Sequence, residues 1–273
     1  MSVSTFILRI SLLICLASGA TDLCAQTSNV PKGTVIVQGG GDISLQRPEM
    51  WEKFISLAGG PDANFIFIPT ADEPVDMQDL SLDGLPFGKL KHVQVLHTRC
   101  RSEADAETFV ASLRKANGVW FGAGRTFRLA DAYLHTKLQN ELQKVLDRGG
   151  VVGGFSAGGM MLGSYVVRGD ILDDKKLMAD GYEEGFGYLK NIALDQRIDT
   201  RKRVDDMIRI VTAYPKLLGI GLEESTAIIV RNNEIEVIGP GRVAVTDGKP
   251  HNGNNYYYLL PGDKLGLKRS PNH

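Results

Sequence analysis

Residues 149–163 read GGVVGGFSAGGMMLG, a glycine-rich apolar stretch with a single serine. A short apolar run ends at Phe155, a lone hydroxyl follows at Ser156, and glycines stand on both sides. Gly154 to Gly158 fits the pattern G-x-S-x-G, which is typical of a sharp turn from a buried strand into a helix with the serine exposed at the turn. We therefore predict that Ser156 is a nucleophile. The alternative is a glycine-rich turn that only packs tightly or binds a phosphate.

Four other apolar stretches resemble the one before Ser156. Each is rich in β-branched or aromatic residues and shows little alternation, as strands buried on both faces of a parallel sheet do. Helical patterns lie between them: residues 102–116 are predicted as one helix capped by Ser102, and residues 125–150 as a longer, broken helical region. The alternation predicts an α/β fold, a doubly wound, mainly parallel sheet with helices on both faces. The four stretches are TVIVQGG (34–40), NFIFIPTA (64–71), HVQVLHT (92–98) and GVWFGAG (118–124).

The last third of the chain changes character. Residues 226–248 and 254–263 read as short strands separated by turns at 232–233 and 239–241. We expect them to be antiparallel strands added to the sheet edge at the C-terminal end of the fold. Residues 26–273 are therefore predicted to form a single domain.

The N-terminus has the order of a secretory signal peptide. Arg9 is followed by an apolar run over residues 10–17 and then by small residues. The run is too short for a membrane span. We predict that residues 1–25 are a cleaved leader and that the protein is exported, periplasmic or secreted; Ala20 and Ala25 are both left open as the cleavage site.

Composition excludes several partners. The formal net charge of −1 over 273 residues gives no reason to expect nucleic acid or a charged membrane surface. No HExxH or paired His/Cys spacing predicts a metal, and we expect no cofactor. Cys15 and Cys24 fall in the predicted leader, which leaves Cys100 alone. A partly buried structural cysteine is favoured there over a catalytic thiol.

Five segments, in order along the chain, resemble the cyanophycinase and dipeptidase E family of serine peptidases. The fold of that family is similar to the class I glutamine amidotransferase domain, and the resemblance covers most of the chain after the leader. The segments are FIFIPTADEP (65–74), FGAGRTFRLADAY (121–133), GGVVGGFSAGG (149–159), GFGYLKNIALDQRIDTRKR (185–203) and LLGIGLEESTAIIV (217–230).

The resemblance implies a role for each matched residue. Ser156 would be the nucleophile, Gly124 and Ala157 would give the oxyanion-hole amides, and Glu224 would orient a catalytic histidine. It also implies a small peptide as ligand and a homodimer as assembly. The positions expected to contact substrate are Arg125, Thr126, Gln196, Arg201 and Arg203.

The chain departs from the family at the histidine. The motif D-Q-H becomes Asp195-Gln196-Arg197, and arginine stays protonated in proteins, so it cannot take a proton from a serine. The loop that carries Gly124 departs as well, with alanine at position 123 and threonine at position 126. Arg197 could instead pair with Glu224 and present donors to a carboxylate or carbonyl.

Two histidines lie in segments that could reach the serine, His97 and His135, although a structural role fits each better. The remaining three, His92, His251 and His273, look uninvolved. The sequence therefore leaves two interpretations. One is a hydrolase of small acidic or isoaspartyl-type peptides with altered catalysis, and the other is an impaired pseudo-peptidase that binds a peptide or carboxylate. An amidotransferase is disfavoured, because that chemistry needs a cysteine where Ser156 stands.

Overall fold

The computed structural model describes residues 32–41, 48–73, 87 and 90–267. The predicted leader and His273 lie outside these residues. The strands are β1 Thr34–Gln38, β2 Asn64–Ile68, β3 His92–Val95, β4 Gly118–Phe121, β5 Val151–Phe155, β6 Gly163–Val166, β7 Leu189–Gln196, β8 Leu218–Leu222, β9 Ala227–Arg231, β10 Glu234–Ile238, β11 Val243–Thr246, β12 Tyr257–Leu259 and β13 Lys264–Gly266. The helices are α1 Pro48–Leu57, α2 Arg101–Ala104, α3 Glu107–Val110, a 3₁₀ helix Ala111–Lys115, α4 Thr126–Tyr133, α5 Lys137–Asp147, α6 Ala157–Met160 and α7 Asp206–Ala213.

The main sheet has the order β13-β10-β9-β1-β5-β4-β2-β3 in the described part of the chain. The five strands predicted from the apolar runs pair in parallel. β9, β10 and β13 extend the β1 edge as antiparallel strands. The α/β class, with a mainly parallel array and antiparallel strands from the C-terminal third, is confirmed. The expectation that all the C-terminal strands join this sheet edge is wrong, because β11 and β12 pair in a second sheet.

Helices cover both faces of this sheet, because alternate residues of each strand point to opposite sides. Ile36 packs with Trp51 and Phe54 of α1 in one apolar cluster. Its neighbour Val35 packs with Leu138 of α5 in the other. The strands are therefore apolar on both faces, which is the physical reason for their unalternating sequences.

A second sheet, with the order β12-β11-β8-β7-β6, was not predicted. One face of it joins the main core through residues such as Leu194. The other face, which includes Ala193, is covered by Ile210 of α7. The sequence pattern marks most of these strands, but the sheet to which a short strand belongs depends on long-range pairing. This second sheet places the end of β7 opposite the end of β5.

The helix predictions are confirmed in one place and wrong in another. Residues 125–150 form α4 and α5, broken at His135, whose φ is 59°. Residues 102–116 form α2, α3 and the 3₁₀ turn instead of one helix, and Ser102 lies inside α2 while Cys100 holds the N-cap position without a side-chain cap. Within the described residues, no helix is long and apolar enough to cross a membrane.

Candidate active site

Ser156 stands on the turn between β5 and α6, in a backbone conformation that is uncommon for a residue with a side chain. Its φ is 54° and its ψ is −122°. Such strain persists only where the surroundings enforce it. The surroundings here are backbone: a Cβ added at Gly154 would lie 2.4 Å from the carbonyl carbon of Gly158, and one added at Gly158 would lie 2.5 Å from the Gly122 carbonyl oxygen. The glycines around Ser156 are therefore required by close approach of the main chain.

The loop that carries Gly124 is fixed beside this turn. The Gly158 amide donates to the Gly122 carbonyl at 3.2 Å, and the Arg125 amide donates to the Ala71 carbonyl at 2.8 Å. Gly124 has a φ of +135°, and a Cβ there would lie 1.9 Å from the Ala71 oxygen. No side chain other than hydrogen fits that position. The structure thus joins the segments after β2, β4 and β5 at one sheet edge.

The two amides expected to form an oxyanion hole have no backbone acceptor among the described residues. Ala157 is the first residue of α6, whose first turn leaves its amides without intrahelical partners. Among the described residues, neither the Ala157 amide nor the Gly124 amide donates to a backbone carbonyl. Amides without an internal acceptor can stabilise negative charge on an oxygen bound beside them, which is the role that the family resemblance implies for Gly124 and Ala157.

Gln196 reaches Ser156 from the second sheet. Its Nε2 donates to the Ser156 Oγ at 2.9 Å. Its Oε1 is buried and has no hydrogen-bond partner among the residues that the structure describes. A Cβ added at Gly40 would lie 2.1 Å from that oxygen, so the bare backbone of Gly40 makes room for the amide. The serine therefore lies between the two sheets, with a side-chain amide as its neighbour.

Arg197 and Glu224 form an ion pair beside this amide. The Arg197 Nε donates to Glu224 Oε1 at 2.6 Å, and the two side chains are 35% and 29% exposed. The Thr200 hydroxyl donates to the same oxygen at 3.2 Å, and the Glu224 amide donates to Asp199 Oδ1 at 3.2 Å. The carboxylate that would orient a histidine is thus occupied by a guanidinium.

No histidine of the described residues is bonded to Ser156. His97 Nδ1 lies 2.8 Å from the Thr70 hydroxyl, which in turn lies 2.6 Å from the Tyr133 hydroxyl. Burial, reinforced by Arg99, lowers the pKa of His97. β4 and β2 separate β5 from β3, which at a strand spacing of about 4.8 Å places the ends of β5 and β3 roughly 14 Å apart.

The other described histidines lie away from Ser156, and two of them bond to carboxylates. His135 Nε2 lies 3.0 Å from Glu184, and His251 Nε2 lies 2.8 Å from Asp247. His92 opens β3, at the sheet edge opposite the Ser156 turn. The structure brings neither candidate histidine, 97 or 135, into hydrogen-bond contact with the serine.

The expected substrate-contacting residues divide into two groups. Arg125 donates to the carbonyls of Asp170 at 2.7 Å and Ile171 at 3.3 Å, and Thr126 is buried at the start of α4. These two residues tie the Gly124 loop to its neighbours. Arg201 and Arg203 lie on the segment between β7 and α7.

The positive charge of Arg203 is only partly balanced by neighbouring groups. It is half-buried and forms no ion pair within the described part of the chain. Burial, and next the like charge of Arg168, lower the pKa of Arg203. Asp195 and Asp206 oppose this lowering of the pKa, so carboxylates already lie near the guanidinium.

Two features of the molecule were missed or misjudged from sequence. Arg168 joins Asp195 and Asp206, and nothing in the local pattern around position 168 marks it. Cys100 is exposed instead of partly buried, and a hydrogen bond from Ser102 lowers the pKa of its thiol. The adjacent acids also differ: Glu223 is buried and bonded by Arg242, while only Glu224 faces Arg197.

Comparison with known proteins agrees with this fold. Among solved structures, the chain is similar to a peptidase from an acI-B1 actinobacterium, with a TM-score of 0.68 and 22% identity over 88% of this chain and 98% of that one. A protein described as peptidase E from Listeria monocytogenes has a TM-score of 0.54 and 18% identity over 76% of this chain and 98% of that one. At these identities the likeness shows the fold alone.

Sequence relatives cover the same region. A cyanophycinase from Geminocystis herdmanii is 27% identical over 241 residues, which are 86% of this chain and 88% of the relative. A cyanophycinase from Synechococcus elongatus is 28% identical over 241 residues, 86% of this chain and 74% of the relative. The family model for peptidase family S51 matches residues 35–238, from β1 to the end of β10. The chain therefore belongs to the serine peptidase family S51.

Proposed function

We propose that this chain is a serine peptidase-like hydrolase of family S51 whose site binds small acidic or isoaspartyl-type peptides and turns them over poorly. The observation that carries the proposal is the ion pair between Arg197 and Glu224, at 2.6 Å, beside an intact serine turn. The turn supplies a nucleophile and amides, while the group that should activate the nucleophile is a cation.

The missing base sets the expected rate. A serine hydroxyl is a weak nucleophile near neutral pH and needs a base of suitable pKa within hydrogen-bond reach. Arg197 stays protonated and Gln196 donates to the serine, so neither accepts its proton. A site that keeps only its oxyanion hole and its binding contacts retains roughly 10³–10⁴-fold acceleration over water. We therefore expect binding with slow hydrolysis.

The positive charge of three arginines after β7 favours a ligand with a carboxylate. Arg197, Arg201 and Arg203 follow one another along the segment after β7, and Arg203 has no ion pair among the described residues. Guanidinium groups bind carboxylates in a planar, paired geometry. The free amides of Gly124 and Ala157 add donors on the other side of the serine. A peptide with a free carboxylate close to its scissile or modified bond fits this distribution.

A second candidate function is a fully active hydrolase in which another group activates Ser156. The strained backbone of Ser156, with a φ of 54°, favours it, because such strain clusters at working catalytic sites. This candidate predicts rapid peptide turnover that Ser156→Ala abolishes. The first predicts that most of the bound peptide is recovered intact.

Titration calorimetry with β-aspartyl dipeptides tests the proposal, with mass spectrometry of the recovered peptide. We expect the parent protein to bind an acidic dipeptide at least tenfold more tightly than its amide analogue, and Arg203→Gln to remove that preference. Arg231→Gln is the matched control, because this exposed arginine ends β9 at the opposite sheet edge. Equal binding of acid and amide by the parent would contradict the ligand class.

We also propose, from the N-terminal sequence alone, that the protein is exported, and from the family resemblance that it is a homodimer. Cell fractionation with N-terminal sequencing tests export, and the expected mature chain begins after Ala20 or Ala25. Sedimentation of the mature chain tests the assembly. A cytosolic protein that retains residue 1 would contradict export, and a monomer at micromolar concentration would contradict the dimer.

A further inference from the structure

We propose that Arg168 is a positioning residue of this site: it fixes the end of β7, from which Gln196 and Arg197 enter the cleft. Arg168 follows β6, and its main chain is fixed by a hydrogen bond to a neighbouring loop. Its φ is 61°, its amide donates to the Leu177 carbonyl at 3.0 Å, and its side chain is 8% exposed. A long charged side chain that is buried needs partners that compensate its charge.

The partners are two carboxylates from different elements. One terminal nitrogen of Arg168 lies 2.6 Å from Asp195 Oδ2, near the end of β7. The other bonds to Asp206, the first residue of α7. A planar guanidinium can hold two carboxylates at a fixed separation, which a lysine ammonium cannot do in the same geometry. Arg168 thus links β6, β7 and α7 at one point.

A short chain of contacts runs from this point to the nucleophile. Asp195 Oδ1 accepts the Gln196 amide at 2.9 Å. Gln196 Nε2 then donates to Ser156 Oγ at 2.9 Å. Successive side chains of a strand point to opposite faces, so Asp195 faces α7 while Gln196 faces the serine. Arg168 therefore lies behind the strand and acts on the site through β7.

Charge compensation explains why this arrangement resists replacement. Burial raises the pKa of Asp195, and Arg168 opposes that rise. Without the guanidinium, a buried carboxylate at the end of β7 loses its counter-charge and must take up a proton or move towards water. Either change shifts the residue that precedes Gln196. The same shift carries Arg197 away from Glu224.

The test uses Arg168→Lys in two backgrounds, the parent and Arg197→His, with a fluorophosphonate probe for Ser156. A merely structural role would lower the fraction of protein that is finally labelled and leave the rate constant of the folded fraction unchanged, and that result would overturn the proposal. We expect the opposite: the final labelled fraction is kept and the rate constant in the Arg197→His background falls about tenfold. Arg148→Lys is the control, since this arginine bonds the carbonyls of Leu113 and Ala116 far from the serine.

The labelling experiment rests on the proposed function, because it needs a serine that can react. Hydrogen exchange tests the role of Arg168 without any need for activity. We expect the amides of residues 195–198 to exchange at least tenfold faster in Arg168→Lys, while α5 keeps its protection. If Arg168→Lys does not fold, Asp206→Asn replaces it in the test, because this variant removes one of the two carboxylate partners of Arg168. We expect the amides of residues 195–198 to exchange threefold faster in Asp206→Asn. Unchanged exchange at residues 195–198 in a folded variant would overturn the proposal. Failure of Arg197→His to label would count against the proposed function only.

Discussion

The two sides of the Ser156 cleft are held by different kinds of contact, main-chain contacts on one side and side-chain contacts on the other. On the β5 side, the turn and the Gly124 loop are held by main-chain contacts between glycines and carbonyls, with no room for a Cβ. On the β7 side, Gln196, Arg197 and Glu224 meet through side chains that are partly exposed. Backbone geometry of the first kind is determined by packing, whereas one substitution changes the chemistry of the second. A serine turn can therefore persist after its base has been replaced.

The largest expected effect belongs to the backbone side. Gly124→Ala places a Cβ within 1.9 Å of the Ala71 carbonyl oxygen, at a φ of +135°. Overpacking and backbone strain each cost about 1–3 kcal/mol, so we expect a loss of about 3 kcal/mol in the free energy of unfolding. Urea denaturation measures it. Gly60→Ala is the control, with a φ of +94° and open space around its Cβ; an equal loss there would show that close approach contributes nothing.

Adjacent glutamates give the next comparison. Glu223 is 8% exposed and accepts three hydrogen bonds from Arg242, so Glu223→Gln should lower the free energy of unfolding by about 2 kcal/mol without changing peptide affinity. Glu224→Gln breaks a partly exposed pair and should cost under about 1 kcal/mol, yet alter peptide affinity because it releases Arg197. Denaturation and calorimetry on both variants check this. The reverse assignment of the two effects would contradict the site as described.

Gly40→Ala tests the side-chain half of the cleft. The new Cβ would lie 2.1 Å from Gln196 Oε1 and 2.6 Å from Arg197 Cδ, both of which belong to flexible side chains that can move. We expect stability to change little and peptide affinity to fall roughly tenfold, about 1.4 kcal/mol. Gly266→Ala, with open space around its Cβ, is the control in calorimetry. Unchanged affinity in Gly40→Ala would place the ligand elsewhere.

The smallest effect concerns His97, which lies on the main sheet away from the serine. Burial lowers its pKa in the folded state, so the folded protein binds fewer protons than the unfolded chain below about pH 6.5. Its contribution to stability is present above that pH and is lost as the pH falls through the folded-state pKa. We expect His97→Asn to flatten the fall in stability between pH 7 and 5, measured by denaturation, and to leave peptide affinity at pH 7 unchanged. A loss of peptide affinity in this variant would give His97 a place in the site.

More of the β5 side of the cleft than of the β7 side could be predicted from the sequence. The β5 strand and the Ser156 turn follow from an apolar run and a glycine pattern, both of which are local. The second sheet depends on pairing between β7, β8 and β11, which the pattern does not encode. The contact of Arg168 with Asp195 and Asp206 joins three distant segments, so no spacing could predict it.

The same limit applies to residues 102–116. Their composition suits one helix, yet tertiary contacts divide them: Thr98 binds Glu103, and Arg101 binds the carbonyls of Asp131 and Leu134. Local propensity is a weak prior that such contacts override. Cys100 precedes this divided segment, holds the N-cap position of the four-residue helix α2 and is exposed.

In the proposed function, Arg197 takes the place of the base in an otherwise intact serine site. Fluorophosphonate labelling between pH 6 and 10 tests it most directly, on the parent, Ser156→Ala and Arg197→His. A general base contributes about 10²–10⁴-fold, so we predict at least a hundredfold faster labelling of Arg197→His than of the parent, with none in Ser156→Ala. Parent labelling as fast as that of Arg197→His, and abolished by Ser156→Ala, would contradict the account and show that another group activates the serine.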